Sequence, residues 1–218
     1  WGFSTRSIGG LVMMHGDDQG LRLPPKLAPV QVVVVPVRTD DQAVVGYGEE
    51  LTEELQTAGI RVKLDVREDE TFGFKINKWE VKGVPLRVEI GEREVEGNKL
   101  TIVRRDTGEK QEIQADTPGV GVQKLLNEIQ ENMFAEAEAF LKENTREAKD
   151  YEEFKKIMEE NRGFILANWC EDAECEAKIK EETKASTRCL TKEGEEQAGA
   201  CVYCKSASKN RWLFAQAY

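Results

Sequence analysis

Four of the five cysteines form two short-spaced pairs, all of them after residue 169. The pairs are Cys170-x4-Cys175 and Cys201-x2-Cys204, and 25 residues lie between them. Two such pairs can converge on one tetrahedral ion, each supplying two thiolates at about 2.3 Å from zinc. Because four thiolates leave no position for water, a zinc ion held in this way would be structural. The alternative is a set of unrelated buried thiols.

The fifth cysteine, Cys189, belongs to neither pair, and we interpret it as a packed free thiol. An odd number of cysteines argues against a disulfide framework, and no basic-then-apolar leader opens the chain. The longest apolar run, residues 30–37, is interrupted by Gln31 and Pro36 and is too short to span a bilayer. We therefore expect a cytoplasmic protein that has no membrane partner.

Basic residues are distributed unevenly along the chain. The net charge of −10, taken whole, argues against a nucleic-acid partner. However, residues 60–110 hold 12 Lys and Arg against 11 Asp and Glu, whereas residues 111–218 hold 15 against 22. Local charge governs phosphate contacts, and net charge mainly governs solubility and long-range steering. The middle segment is therefore the candidate surface for a polyanion.

The apolar pattern predicts the elements that must position these groups. Strands are predicted over residues 31–37 and 62–66, on either side of a helix whose apolar face carries Tyr47, Leu51 and Leu55. This order is typical of a parallel strand pair with a crossover. The pattern then predicts a helix over 72–81, strands over 86–90, 100–104 and 112–115, and helices over 122–149 and 151–160.

The start of the chain is abrupt. Residues 1–6 are predicted as a strand already under way, and residues 8–14 as the helix that follows it. Pro24, Pro25 and Pro29 then forbid a regular helix. We expect the chain to begin inside a domain of a longer protein.

Three stretches of the sequence carry family-like motifs in a fixed order. They are WGFSTRSIGG (1–10) with MHGDD (14–18) and GLRLPP (20–25), WEVKGVPLRVEIG (79–91), and GFIL (163–166) with the cysteine pairs and LFAQAY (213–218). Together they resemble prolyl-tRNA synthetase of the archaeal and eukaryotic type, a class II aminoacyl-tRNA synthetase. The first stretch is similar to the third class II signature motif, and the second to the family's anticodon-binding domain.

The resemblance implies an α/β fold in three parts. Residues 1–27 would be the end of a class II catalytic domain, and residues 28–121 a mixed-sheet anticodon-binding domain. Residues 122–218 would form a small α+β zinc-binding domain. Since nothing matches the first two class II motifs, we expect this chain alone to be inactive in catalysis.

The resemblance also implies an activity and its partners. The family joins proline to ATP, with Mg²⁺, as prolyl-adenylate and then transfers the prolyl group to tRNA-Pro; the complete enzyme would be a homodimer. Arg6 matches an arginine that holds ATP, and Ser4 a position near the nucleotide. Trp1, Gly2 and Tyr218 would lie near the substrate. No catalytic residue is assigned.

The relatively basic middle domain would read the anticodon of tRNA-Pro. All proline anticodons share the two bases GG. Exposed loop bases are recognised through hydrogen bonds to their edges and through stacking. The candidate contacts are Lys75, Glu80, Arg87, Arg104 and Arg105, with the Glu80 carboxylate as an acceptor for a guanine edge. The alternative for each of these residues is that its side chain simply lies on a solvated face of a sheet or helix. The aromatic residues Phe72, Phe74 and Trp79 are predicted to be core rather than stacking platforms.

Three other functions compete with the ligase. A free-standing tRNA-binding or regulatory module would have no use for the motif at residues 1–6. Another class II synthetase, such as the threonyl or histidyl enzyme, is disfavoured by the four-cysteine segment and the terminal Tyr218. An inactive scaffold would bind every tRNA weakly.

Overall fold

The computed structural model describes residues 2–192 and 194–216. The chain divides into two compact units, one of residues up to Phe134 and one from Ala135 onward. This division falls later than the predicted boundary between residues 121 and 122, because the first half of the long helix belongs to the first unit. Within the described ranges, no helix has the length and hydropathy of a membrane span.

The first unit is built on one mixed sheet. Its elements, in chain order, are α1 (Arg6–His15), β1 (Gly16–Asp17), β2 (Gly20–Leu21), β3 (Val32–Pro36), α2 (Gln42–Thr57), β4 (Val62–Leu64), α3 (Phe72–Val81), β5 (Leu86–Ile90), α4 (Glu92–Gly97), β6 (Lys99–Arg104), β7 (Lys110–Gln114) and the start of α5 (Pro118–Glu143). The strand order is β4-β3-β5-β6-β7. The first three strands are parallel, and β6 and β7 are antiparallel, so the predicted crossover and mixed sheet are confirmed.

The central strand β3 shows why this sheet is covered on both faces. Val32 and Val34 pack in a core with side chains of α2 and α5, whereas Val33 and Val35 pack with Trp79 of α3. A strand buried on both faces needs a continuous apolar run rather than alternation. Each fully buried Val contributes roughly 1.5–3 kcal/mol.

In the first unit, one predicted strand is absent from the described residues and one helix was missed. Residues 2–4 form no strand; Phe3 is 92% exposed, and the helix begins at Arg6. An extended segment needs a neighbouring strand to pair with, and the described residues provide none there. Helix α4 was not predicted at all, since its six residues are too few to show a period. It starts where the Glu94 carboxylate accepts the backbone N–H of Gly91 at 2.9 Å.

The second unit has a smaller mixed sheet and two helices. Its elements after α5 are β8 (Thr145–Glu147), α6 (Tyr151–Glu160), β9 (Phe164–Trp169), α7 (Ala173–Thr183), β10 (Ala185–Leu190), β11 (Gly199–Ala200), β12 (Ala207–Ser208) and β13 (Asn210–Gln216). The strand order is β10-β13-β9-β8, and of the described strand pairs in this sheet only β8–β9 is parallel. Strands β11 and β12 form a separate hairpin.

The long helix ends earlier than predicted. It was expected to reach residue 149, but α5 stops at Glu143 and the chain turns into β8. The amide of Asn144 donates to the carbonyl of Phe140, and the hydroxyl of Thr145 to that of Leu141, both at 2.8 Å. These bonds satisfy the last turn. Apolar periodicity could not show the end, because pairing with the distant β9 decides it.

Side-chain caps fix where four helices start. In each case the capping oxygen accepts a backbone N–H of the first turn, which an uncapped helix would leave unsatisfied. The capping residues of α2, α3, α6 and α7 are Asp41, Thr71, Asp150 and Asp172.

Candidate nucleic-acid interface and candidate metal centre

The two cysteine pairs converge on one point in the second unit. Cys170 follows β9, Cys175 lies in α7, and the other pair occupies the turn between β11 and β12. The four sulfur atoms all lie within 4.8 Å of one another, and the Sγ atoms of Cys170 and Cys204 are 3.6 Å apart. Tetrahedral thiolate ligation of zinc requires sulfur atoms about 3.8 Å apart, whereas a disulfide requires about 2.05 Å. The cluster therefore has the geometry to hold a metal ion.

The backbone holds the second cysteine pair in a tight turn. The N–H of Cys201 donates to the carbonyl of Ser206 at 2.8 Å, and the N–H of Lys205 returns to the carbonyl of Cys201 at 3.0 Å. Lys205 takes a left-handed conformation with φ of 64°. The N–H of Val202 donates to Asn168 of β9 at 2.8 Å, which ties the turn to the strand before Cys170.

The thiols differ in how readily they ionise. Burial raises the pKa of Cys170 and of Cys175 above the usual range, and the neighbouring thiols add to the effect at Cys175. Hydrogen bonds from the hydroxyl and backbone N–H of Ser206 lower the pKa of Cys204 to about 6. Several thiolates at such short distances repel one another, so a bound cation would favour the ionised forms over the protonated thiols.

Cys189 stands apart from the cluster. It is exposed on β10, so its prediction as a packed thiol is wrong. The register between β10 and β13 shifts between Thr187 and Cys189, so the strand is irregular at this cysteine.

Four of the five predicted RNA contacts meet in the first unit. Glu80 of α3, Arg87 of β5, Arg104 of β6 and the following Arg105 line one crevice together with Trp79 and Val84. The crevice encloses about 10 Å³, which is too little for a nucleobase. A base could therefore lie over these side chains and contact their polar ends, but it could not enter between them.

Carboxylates hold each of the three guanidinium groups. Arg87 Nε donates to Glu89 at 3.0 Å. Arg104 makes two bonds to Asp106, at 3.0 and 2.7 Å, and Arg105 makes two to Asp17, at 2.9 and 2.6 Å.

The carboxylates at the crevice differ in whether they are paired. Burial alone would raise the pKa of Asp106, but hydrogen bonds from Arg104 and Asn132 hold it below its usual range. Among the described residues, the carboxylate of Glu80 has no hydrogen bond or ion pair, so it is the free acceptor at the crevice.

Lys75 lies elsewhere. Its side chain is buried, at 2% exposure, and its Nζ atom is 3.5 Å from the carbonyl of Asp65. This placement separates it from the crevice and from any external strand. Phe74 beside it is 56% exposed, so its prediction as core is wrong, whereas Trp79 is core as predicted and Phe72 packs partly buried against it.

Comparison with known proteins identifies the two regions. A family model described as an anticodon-binding domain matches residues 31–132, and one described as the C-terminal part of prolyl-tRNA synthetase matches residues 151–218. The chain belongs to the prolyl-tRNA synthetase family. It is 51% identical over 198 residues to a proline–tRNA ligase of Rubrobacter xylanophilus, an alignment covering 90% of this chain and 42% of that protein.

Two further relatives cover the whole chain. Proline–tRNA ligase 2 of Clostridioides difficile is 44% identical over 218 residues, which are 45% of its length. The crystal structure of Cryptosporidium parvum prolyl-tRNA synthetase with L-proline and AMP superposes with a TM-score of 0.91 at 35% identity, over 47% of that chain. The chain thus spans less than half the length of the synthetases that it matches. The predicted fold class, a mixed α/β anticodon-binding domain followed by the synthetase's C-terminal domain, is confirmed.

The synthetase's remaining candidate positions lie at the ends of the chain. Ser4 and Arg6 are exposed, and the carbonyl of Ser4 accepts the hydroxyl of Ser7 at 2.7 Å at the start of α1. Gly2 is exposed as well. Trp1 and Tyr218 lie outside the described residues. Their predicted roles are to contact ATP or to lie near the proline site of the complete protein, and these roles stay predictions.

Sequence reasoning missed the carboxylates that orient the arginines. Asp17 and Arg105 are 88 positions apart in the chain, and Lys110 reaches Glu89 from β7 at 2.7 Å. No local spacing signals such pairs. The only available signal was an Arg-x-Glu or Arg-x-Asp alternation, which places Glu89 two residues after Arg87 and Asp106 two after Arg104.

Proposed function

We propose that this chain is the C-terminal part of a proline–tRNA ligase whose first unit reads the anticodon of tRNA-Pro. The observation that carries the proposal is the meeting of Glu80, Arg87, Arg104 and Arg105 at one crevice, inside the segment that matches an anticodon-binding domain. The full protein would form prolyl-adenylate from proline and ATP with Mg²⁺ and transfer the prolyl group to tRNA. This chain supplies recognition.

The crevice suits guanine better than other bases. The Watson–Crick edge of guanine presents two N–H donors beside one carbonyl acceptor, and the unpaired Glu80 carboxylate can accept from both donors. A guanidinium such as that of Arg87 can donate to the acceptor. Since Glu89 already fixes Arg87, little side-chain freedom is lost when the base binds. Two guanines shared by all proline anticodons are the matching substrate.

The second unit is proposed to hold a structural zinc ion through Cys170, Cys175, Cys201 and Cys204. Four sulfur donors in a compact cluster select zinc or iron–sulfur chemistry over magnesium or calcium. A single ion with four protein ligands has no open position, so it would stabilise the fold and take no part in the reaction. Thiols kept for a metal fit a reducing compartment, and we place the complete protein in the cytoplasm.

The proposed roles of the chain ends concern the complete protein. Arg6 and Ser4 are proposed to contact ATP, and Trp1, Gly2 and Tyr218 to lie near the proline site. We also propose that the complete protein is a homodimer. The support is the motif similarity at residues 1–10 and 213–218 together with relatives of more than twice this length.

Anticodon reading is tested by binding of the full chain to the anticodon stem–loop of tRNA-Pro at one fixed salt concentration. The comparison RNA has its GG changed, and we expect it to bind at least about 10-fold more weakly, as loss of one or two base contacts would cause. Glu80→Gln should remove most of this discrimination, because an amide presents only one acceptor.

Glu96→Gln is the matched control, since Glu96 is exposed on α4 and does not line the crevice. It should leave the discrimination unchanged. Equal binding of the two RNAs by the native chain would refute anticodon reading by this unit.

A further inference from the structure

A second cleft in the first unit lies between β4 and α3. It encloses about 270 Å³, and its lining includes Lys63, Asp65, Arg67, Lys78, Trp79 and Lys82 besides two apolar residues of the β4 segment. We call it the lysine groove. Four of these six side chains are cationic and one is anionic, so the lining carries an excess of positive charge inside a chain whose net charge is −10.

The cations of the groove fall into two classes. Arg67 and Lys78 are neutralised by Glu70, at 2.9 and 2.8 Å, and Arg67 also pairs with Asp65. Lys63 and Lys82, in contrast, have no carboxylate partner among the described residues. Their charges are available to an external anion.

Trp79 holds these two free charges in place. The Nζ atoms of Lys63 and Lys82 lie 5.5 and 4.5 Å from the centroid of its ring, within the range of cation–π attraction. The indole N–H donates to Asp65 at 2.6 Å, and the ring is 5% exposed, so it forms a fixed floor rather than a platform for a base. The groove therefore presents two positioned ammonium groups and no open aromatic face.

We propose that the lysine groove binds a phosphodiester of the RNA strand whose bases lie over the crevice. The inference rests on the proposed function. Trp79 lines both cavities, so the crevice and the groove adjoin at α3, and one strand that crosses this helix can contact both. Ammonium groups without acceptors beside them recognise phosphate oxygens by charge and carry no base specificity.

The first test is the salt dependence of binding to the anticodon stem–loop by Lys82→Gln and by the control Lys124→Gln. Lys124 lies on α5 in a separate cleft lined by Glu54, Glu128 and Glu131, where a phosphate is repelled. Loss of one phosphate contact lowers the slope of log affinity against log salt by about 0.7–1. We expect Lys82→Gln to show this drop with a roughly 3- to 10-fold loss of affinity, equal for native and GG-changed RNA, and Lys124→Gln to show neither.

The second test replaces single phosphates of the RNA by neutral methylphosphonates, one position at a time. In a double-mutant cycle, one position should weaken the native protein and have no further effect on Lys82→Gln, since the two changes remove the same contact. Equal losses in both proteins at every position would mean that Lys82 contacts no phosphate of the strand, and would overturn the proposal.

The two proposals fail in different ways. If anticodon reading fails, the native protein does not distinguish the two RNAs. If only the groove proposal fails, the native protein and Lys82→Gln distinguish them equally well and have the same affinity and the same salt slope. Thermal unfolding of each variant confirms that it is folded.

Discussion

The two units reach a stable core by different routes. The first covers both faces of a five-stranded sheet with helices, and its buried valine, leucine and isoleucine come mainly from five elements, namely β3, α2, β5, β6 and α5. The second packs α6 and α7 on alternate residues of β9, and its core includes two of the four clustered cysteines, Cys175 and Cys201. A smaller unit buries a smaller share of its surface, so a bound metal can supply what apolar burial does not.

The ion pairs of the two units also differ in how deeply they are buried. In the first, buried or half-buried pairs such as Arg104–Asp106 and Arg67–Asp65 are built into the surface proposed to read RNA. In the second, the pair Arg211–Glu147 leaves its carboxylate 64% exposed. We therefore expect the first unit to depend on packing and fixed charges, and the second on the metal ion proposed at the cysteine cluster.

Loss of the metal should produce the largest difference between the units. Cys201→Ser removes a fully buried member of the proposed zinc site, and zinc ligation contributes on the order of 10 kcal/mol to folding of small metal domains. We expect the second unit to become protease-sensitive while the first stays protected. Mapping the cleavage sites by mass spectrometry, with metal content measured in parallel, checks this.

Cys189→Ser is the control for that prediction, because it makes the same chemical change at an exposed cysteine outside the cluster. It should leave both metal content and protease resistance intact. A chelator should reproduce the effect of Cys201→Ser on the native chain. Equal resistance of the two variants would show that the cluster does not stabilise the second unit.

The second-largest effect on stability is expected in the first unit, where the backbone packs closely around a glycine. Gly83 has a φ of 72°, and a Cβ there would lie 2.7 Å from the backbone carbonyl carbon of Leu21. Gly83→Ala should lower the free energy of unfolding by about 3 kcal/mol, from left-handed strain together with overpacking. Gly59→Ala has a φ of 80° but open space, so about 1–2 kcal/mol is expected from strain alone. Urea unfolding measures both, and equal losses would contradict the packing explanation.

Lowering the pH should produce a smaller difference in stability between the two units. Burial would raise the pKa of Asp65, but hydrogen bonds from Arg67 and Trp79 outweigh it and hold the pKa well below its usual range. A carboxylate with a lowered folded-state pKa stabilises fully above its unfolded value, about 4, and the contribution is lost as the pH falls further. Asp65→Asn should cost about 1–3 kcal/mol at neutral pH and flatten the loss of stability below pH 4.

Glu147→Gln provides the matching change in the second unit. Arg211 lowers the pKa of Glu147 as well, but the pair is solvent-exposed and contributes little. Urea unfolding at a series of pH values should show almost no change for this variant. If the stability of Asp65→Asn depends on pH in the same way as that of the native chain, Asp65 does not contribute to the acid sensitivity of the first unit.

Predictions from the sequence succeeded where a local pattern and a tertiary contact agree. The Val-rich run of β3, the amphipathic face of α2 and the strands β5 and β6 all lie where periodicity predicts them, because each buries its apolar face in the core that such a pattern requires. Prediction failed at residues 2–4, at the end of α5 and at Phe74. At the first two, the outcome depends on whether a strand finds a partner far away in the chain.

By itself, the sequence determined the cysteine spacing, the element order of the first unit and the motifs of the prolyl-tRNA synthetase family, since these are properties of neighbouring residues. Only the tertiary structure decided which charged groups are free. It buries Lys75, fixes Arg104 and Arg105 on Asp106 and Asp17, and leaves the Glu80 carboxylate beside them with no partner in the part of the chain that the structure describes. The reason is physical: an ion pair depends on distance in space, and residues 88 positions apart are brought together only by the packing of the whole unit.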